Sequence, residues 1–314
     1  MGAHPQSVAQ QPKPSFKVRF KAWWEGYDLT AEPEAPAPAP AAPAAAPAAS
    51  ALPLLDRPTT KVAQQLWGEG FVQPGGGAFI LTMVKPFALN PSMTVMDFGA
   101  GLGGGTRAVS DEFGIWVQGF EADLLMAEAA HELSLKKGAK KAEIKHYRIQ
   151  EFQPKPAGYD CIFSHAALYR VEEKAKLLGL FERALKARGQ CSITDFVRAP
   201  GVSVDDPRLK DFAAGPGEIN RFWLNHDYLK KFGELKIDVR VDEDQTASYR
   251  TAIIDAWVNF TSDAAGLACA KAHPEEAVAE VGLWTRRVAA LDSGALQLRR
   301  YYGIKMGSSG HKPE

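Results

Sequence analysis

Cysteine is scarce in this chain: Cys161, Cys191 and Cys269 are the only three in 314 residues. An odd number cannot all pair with one another, and none stands at metal-ligand spacing, so neither a disulfide framework nor a zinc module is indicated. They read as reduced core thiols of a cytoplasmic protein. Histidine offers no metal constellation either: His131, His146, His226 and His273 are scattered, and His311 falls in a polar tail. Excess charge of one sign is also missing. The 37 basic residues balance 37 acidic ones, so no nucleic-acid partner is expected from the total. No stretch approaches the ~20 consecutive apolar residues of a membrane span, and the N-terminus carries no apolar signal-peptide core. A soluble, cytoplasmic protein is expected, with attachment to a membrane surface left open.

What the chain does have changes along its length. The 46% hydrophobic and 24% charged fractions are those of an ordinary globular protein, long enough for one large α/β domain with extensions. Residues 1–14 are polar and proline-containing and predict a disordered tail. Residues 15–29 place Phe16, Phe20, Trp23, Trp24 and Tyr27 on one helical stripe beside Lys17, Arg19 and Lys21, with Ser15 as cap. Such an amphipathic helix suits a membrane interface, a groove on a protein partner or a seat on its own domain. Residues 30–53 are dominated by alanine and proline, a spacer that favours extended polyproline II. The folded domain is expected over 54–306, with 307–314 a second disordered tail.

Inside the domain, short β-type runs alternate with helical stretches. Strands are expected at Thr94–Phe98, Trp116–Glu121, Ala142–Arg148, Tyr159–Ser164, Gln190–Phe196, Ile237–Val241 and Leu298–Ile304. Helices are expected at Gly104–Phe113, Leu124–Lys137 and Val171–Ala187, and a long helical insert over Ala247–Ser293. The alternation predicts an α/β fold, a mostly parallel seven-stranded sheet with helices on both faces.

The strongest local signal is Asp97-Phe98-Gly99-Ala100-Gly101-Leu102-Gly103-Gly104-Gly105, where a strand opens through clustered glycines into a helix. Glycines permit positive φ and let a ligand approach the backbone without meeting a Cβ. The helix beyond offers unpaired N–H groups to an anionic group such as a carboxylate. Glu121 closes the next strand, where a carboxylate can accept both hydroxyls of a ribose. Dinucleotide-binding folds use the same devices, so these features alone leave a nicotinamide-dependent oxidoreductase open. The acid two residues before the first glycine decides: the stretch resembles the E/DxGxGxG element of class I S-adenosylmethionine-dependent methyltransferases, which have a Rossmann-like fold. Tyr159–His165 and Gln190–Phe196 resemble the fourth- and fifth-strand motifs of that class.

Upstream, Leu66-Trp67-Gly68-Glu69-Gly70-Phe71-Val72-Gln73-Pro74-Gly75-Gly76 is similar to a segment of the phosphoethanolamine (phosphobase) N-methyltransferases that covers the donor. Trp284-Thr285-Arg286-Arg287 and the closing LRRYYGIK are similar to that family's C-terminus. The resemblance implies S-adenosyl-L-methionine as cofactor. It places Val72 and Gln73 against the donor, Gly99, Ala100 and Gly101 under its methionine part, and Glu121 and Ala122 at the ribose. Ser164 falls near the sulfonium. Arg148 stands where the family has an adenine-contacting aspartate, with Ile149 left to cover the ring.

On the acceptor side the chain departs from the family. Ala166 replaces the aspartate that holds the substrate amine, and Arg170 stands at the catalytic histidine position. Phe196 and Phe212 replace phosphate-gripping tyrosines, and Leu55 falls near a catalytic tyrosine, while Arg287 keeps a phosphate-contacting cation. An anionic or neutral small-molecule or lipid-like acceptor is expected, held by Arg287 or Arg170. His165, with an unperturbed pKa near ~6.5, reads equally as general base or as a hydrogen-bonding rim residue. Tyr169 offers a polar tip or core packing. The competing expectation is a degenerate methyltransferase fold acting as a binding or regulatory protein through residues 15–29.

Overall fold

A computed structural model describes residues 52–212 and 221–307. The readings for residues 1–14 and 15–29, most of 30–53 and the tail from 308 lie outside the described residues.

Seven strands form one sheet in the order β3-β2-β1-β4-β5-β7-β6. They are β1 (Thr94–Phe98), β2 (Trp116–Glu121), β3 (Ala142–His146), β4 (Tyr159–His165), β5 (Leu185–Arg198), β6 (Ile237–Asp244) and β7 (Leu296–Lys305). The first five run parallel, and β7 inserts antiparallel between β5 and β6. Among the described residues, two helices precede the sheet, α1 (Pro58–Trp67) and α2 (Gly76–Val84). Then come α3 (Gly104–Phe113), α4 (Leu124–Lys136), α5 (Lys174–Ala184), α6 (Pro207–Phe212) and α7 (Asn225–Glu234). Among the described residues no helix is long and apolar enough to cross a membrane.

The expected fold class holds, and three boundaries move for identifiable reasons. β3 stops at His146, two residues early: the Tyr147 N–H makes the last ladder bond, to the Glu121 carbonyl at 3.0 Å, and the chain then leaves the sheet to wall the crevice. The helix expected to reach Ala187 ends at Ala184, where Leu185 pairs with Tyr159 and starts β5. The insert is three helices rather than one: α8 (Thr246–Ser262), α9 (Ala264–Ala272) and α10 (Pro274–Asp292). Asp263 ends the first by capping the Gly266 N–H at 2.6 Å, and Pro274 opens the third at a position where its missing N–H costs nothing.

The strands bury side chains on both faces, as a covered parallel sheet must. One face packs Phe98, Phe120, Phe152, Ile162 and Phe181, and the other packs Ile80, Val84, Phe87, Val95 and Phe163. Each such side chain contributes roughly 1.5–3 kcal/mol on leaving water. β1 has β2 on one side and β4 on the other, so the strand order reverses at its carboxyl end. Crevices in open α/β sheets form at that switch point, and the glycine turn lies there.

Candidate functional site

The backbone builds one side of the crevice. Gly99, Gly101 and Gly103 all take positive φ (79, 55 and 76°). A Cβ on Gly99 would come within 2.2 Å of the Ala167 Cβ, so a side chain is excluded there on two grounds. The Phe120 carbonyl accepts from the N–H groups of Gly99 and Ala100 at 2.8 and 3.0 Å, which ties the turn to β2. Glu121 at the end of β2 is half-buried; its two carboxylate oxygens accept from the Gly101 N–H at 2.8 Å and the Asp123 N–H at 3.0 Å. The carboxylate is fixed in direction and faces a cavity of about 410 Å³.

That larger cavity is also lined by Ala122, Arg148, Ile149, Ala167 and Arg170. A smaller one of about 40 Å³ lies beside it, against Ala100, Asp97 and His165, and the two share Val72, Gln73, Gly99 and Gly101. Nine of the ten residues expected around a cofactor therefore stand on these walls. Ser164 does not: it is fully buried, and its hydroxyl donates to the Phe98 carbonyl at 2.8 Å, inside the sheet. Arg148 is exposed, with its guanidinium 3.8 Å from Glu151.

Residues 70–75 form a strap over the glycine turn. Gly104 N–H donates to the Gly70 carbonyl at 3.0 Å, and the Gln73 amide donates to the His165 carbonyl at 3.0 Å. Asp97, the acid of the glycine motif and a residue for which the sequence offers no contact, lies under the strap. It is 4% exposed and accepts from the Thr106 hydroxyl at 2.7 Å. Burial pushes its carboxyl up to about 7, against the pull of Thr106 and with a further push from Glu121.

Both ring nitrogens of His165 are engaged. Its Nε2 lies 3.1 Å from the Pro74 carbonyl, which can only accept, so Nε2 carries the proton. Nδ1 then accepts from the Thr194 hydroxyl at 2.7 Å. Burial pulls the imidazole down to about 4, so it is neutral at physiological pH with its lone pair already engaged.

Side chains build the other side. Tyr169 is 1% exposed and stacks parallel on Phe222 at 5.7 Å, with Phe196 and Phe212 edge-on at 5.3 and 5.9 Å. Tyr249, from α8, meets Phe196 at 5.8 Å, and its hydroxyl is buried without a hydrogen-bond partner among the described residues. Arg287 is 5% exposed and lies over the rings of Trp284 and Phe212 at 4.8 and 5.2 Å. The residues expected to hold an acceptor are thus brought together in an aromatic box rather than on an open wall. Arg170 is exposed at the rim of the larger cavity, and its Nε donates to the Tyr169 hydroxyl at 2.9 Å. Leu55, aligned with a catalytic tyrosine, packs against the Leu102 cluster.

A buried ion pair fixes this side. Asp195 accepts from the Tyr169 N–H at 2.8 Å, from the Tyr228 hydroxyl at 2.6 Å and from Lys174 at 3.1 Å, with both charged side chains at 0% exposure. Lys174 also donates to the Arg221 carbonyl at 2.8 Å, and burial holds its pKa below the usual lysine range. No spacing in the sequence announces this network.

With strand order and crevice in place, comparison with known proteins identifies the fold. Residues 89–234 match the family model described as a methyltransferase domain. A phosphoethanolamine N-methyltransferase 2 solved from Haemonchus contortus in complex with S-adenosyl-L-methionine superposes with a TM-score of 0.70, covering 81% of this chain and 58% of that one at 20% identity. The fold is that of a class I methyltransferase. Phosphoethanolamine N-methyltransferase 2 of Caenorhabditis elegans is 31% identical over 152 residues, which is 48% of this chain and 34% of that relative. The chain thus spans about a third of the length of that relative. The same methyltransferase fold serves other chemistry. The [4+2]-cyclase SpnF superposes with a TM-score of 0.62 over 81% of this chain and 95% of its own, at 14% identity. Fold alone therefore does not fix the reaction.

Proposed function

We propose that the protein is an S-adenosylmethionine-dependent methyltransferase whose acceptor is a small or lipid-like molecule, anionic or neutral. The observation that carries this reading is the Glu121 carboxylate, fixed by two backbone N–H groups and facing a cavity floored by Gly99 and Gly101. The resemblance to phosphoethanolamine N-methyltransferases supports it. The residues fit the cofactor. Glu121 has the direction to receive ribose hydroxyls, and Ile149 flanks the same cavity for a ring. Gly99 and Gly101 leave the floor free of side chains, and Asp97 supplies an acid under the strap for an ammonium group.

When bound, S-adenosylmethionine supplies an electrophilic methyl group on a sulfonium. Displacement in line with that carbon–sulfur bond needs alignment above all, and the pinned strap and glycine turn provide a rigid frame for it. The protein contributes no free base at His165, whose two nitrogens are engaged. That favours an acceptor atom that already carries a lone pair at neutral pH. Ala166 removes the carboxylate that would attract an ammonium, and Arg170 adds a cation at the rim, so phosphoethanolamine itself is a poor candidate.

The test is transfer of labelled methyl from S-adenosylmethionine to phosphoethanolamine and to pools of carboxylate- and phosphate-bearing metabolites and lipids. Turnover is expected on the anionic pools and not on phosphoethanolamine. Tight S-adenosylhomocysteine binding with no turnover on any pool would overturn the catalytic reading in favour of a binding protein.

A further inference from the structure

A second cleft, of about 620 Å³, opens beyond the aromatic box. It lies between the carboxyl end of β5, helix α6 and residues 221–227, and its volume is that of a small-molecule site. Phe222 divides the two spaces: it stacks on Tyr169 inside and lines the cleft outside. Glu172 lines both the cleft and the 410 Å³ cavity, so the two hollows meet at that residue.

The walls combine apolar area with a cation that has no ion-pair partner among the described residues. Leu209, Phe222, Trp223 and Val204 present hydrocarbon, and Val204 is 66% exposed. Most charges in the cleft are already neutralised: Arg221 pairs with Glu172 at 3.0 Å, and Lys210 with Asp205 at 3.5 Å. Asp227 caps the Leu224 N–H at 2.9 Å. Arg198 differs. Its Nη1 donates to the Val202 carbonyl at 2.8 Å, its Nε is buried with no hydrogen-bond partner, and no ion pair to it is present among the described residues. A half-buried guanidinium with unused donors, set beside exposed apolar walls, calls for an anion attached to an apolar body.

We propose that this cleft binds an amphiphilic anion, with its carboxylate or phosphate on Arg198 and its apolar body along Phe222, Trp223 and Val204. Resting on the methyltransferase reading, the inference makes the cleft the seat for the non-reacting part of the acceptor, which reaches the donor cavity past Glu172.

The test uses octyl phosphate, below its micelle-forming concentration, as probe on the full chain, with inorganic phosphate and octanol as its two halves. Calorimetry should show octyl phosphate binding at least about tenfold tighter than either half. Arg198→Met should weaken it by about tenfold or more, the worth of a charge-assisted hydrogen bond. Val204→Asp, an exposed change that spares the fold, should weaken it as well. Both variants should keep the native melting temperature and S-adenosylhomocysteine affinity. Absence of octyl phosphate binding, or equal binding by native protein and both variants, would overturn the cleft. Failure to bind S-adenosylhomocysteine while octyl phosphate still binds would instead overturn the methyl-transfer reading and leave the cleft standing.

Discussion

The two sides of the crevice are made of different materials. The proposed donor side is backbone: three glycines at positive φ, a carbonyl bridging two N–H groups, and a half-buried carboxylate aimed by hydrogen bonds. The proposed acceptor side is side chain: interlocked aromatic rings, a buried arginine, and a lysine–aspartate pair at 0% exposure. A site of the first kind tolerates change around it and fails when its few backbone positions are altered. A site of the second kind is part of the core, so its changes register first as stability.

That contrast yields predictions that would break it if they failed. The largest effect is expected from Lys174→Met, which leaves Asp195 buried without its cation. Loss of one partner of a buried pair costs about 3–5 kcal/mol, read as a drop in chemical-denaturation midpoint. S-adenosylhomocysteine affinity of the fraction still folded should stay within about twofold, and a parallel collapse of affinity would erase the distinction between the sides. Gly99→Ala should act chiefly on binding. The clash with Ala167 costs about 1–3 kcal/mol of stability, and donor-site ligand binding should disappear in calorimetry.

Asp97→Asn sharpens the comparison through pH. With a native pKa near 7 against an ordinary 3.8, the folded protein holds a proton that the unfolded chain has released. Its contribution to stability is therefore full below pH 3.8, is lost as pH rises toward 7 and stays lost above it. His165 acts in the opposite sense: pulled down to about 4, it lowers stability as pH falls from 6.5. Asp97→Asn should raise stability at pH 8 by about 1 kcal/mol or more, one pKa unit's worth. Native S-adenosylhomocysteine affinity should rise between pH 6 and 8 as Asp97 becomes available to an ammonium, and the variant's should be flat. The smallest effect belongs to Arg148→Asp. At this exposed position, restoring the carboxylate of the resembled family should improve donor-site affinity by no more than a few-fold, since exposed polar contacts are weak.

The same contrast explains what the sequence made legible. Glycine positions, the acid before them and the acid closing the next strand are local and periodic. The turn from Asp97 to Gly105, α3 and the seven strands were therefore readable to within a few residues, save the start of β5 and the end of β6. The acceptor side depends on residues far apart in the chain. Pro74 holds the proton on His165 Nε2 across 91 positions and Thr194 takes the Nδ1 lone pair across 29, and no spacing rule shows either. Ser164 sits at the expected place on β4, but alternation along a strand does not reveal that its hydroxyl turns back to Phe98. Tyr249 arrived from an insert whose sequence signals only helix, and Arg287 was legible as a cation but not as one packed between rings.

The most direct test of the central claim, that the backbone-built side is a working donor site, is calorimetric titration of the full chain with S-adenosylhomocysteine beside Glu121→Ala. Micromolar binding that weakens by about a hundredfold in the variant is predicted, from the loss of two hydrogen bonds to a charged group. No binding by the native protein, or equal binding by the two, would contradict the account.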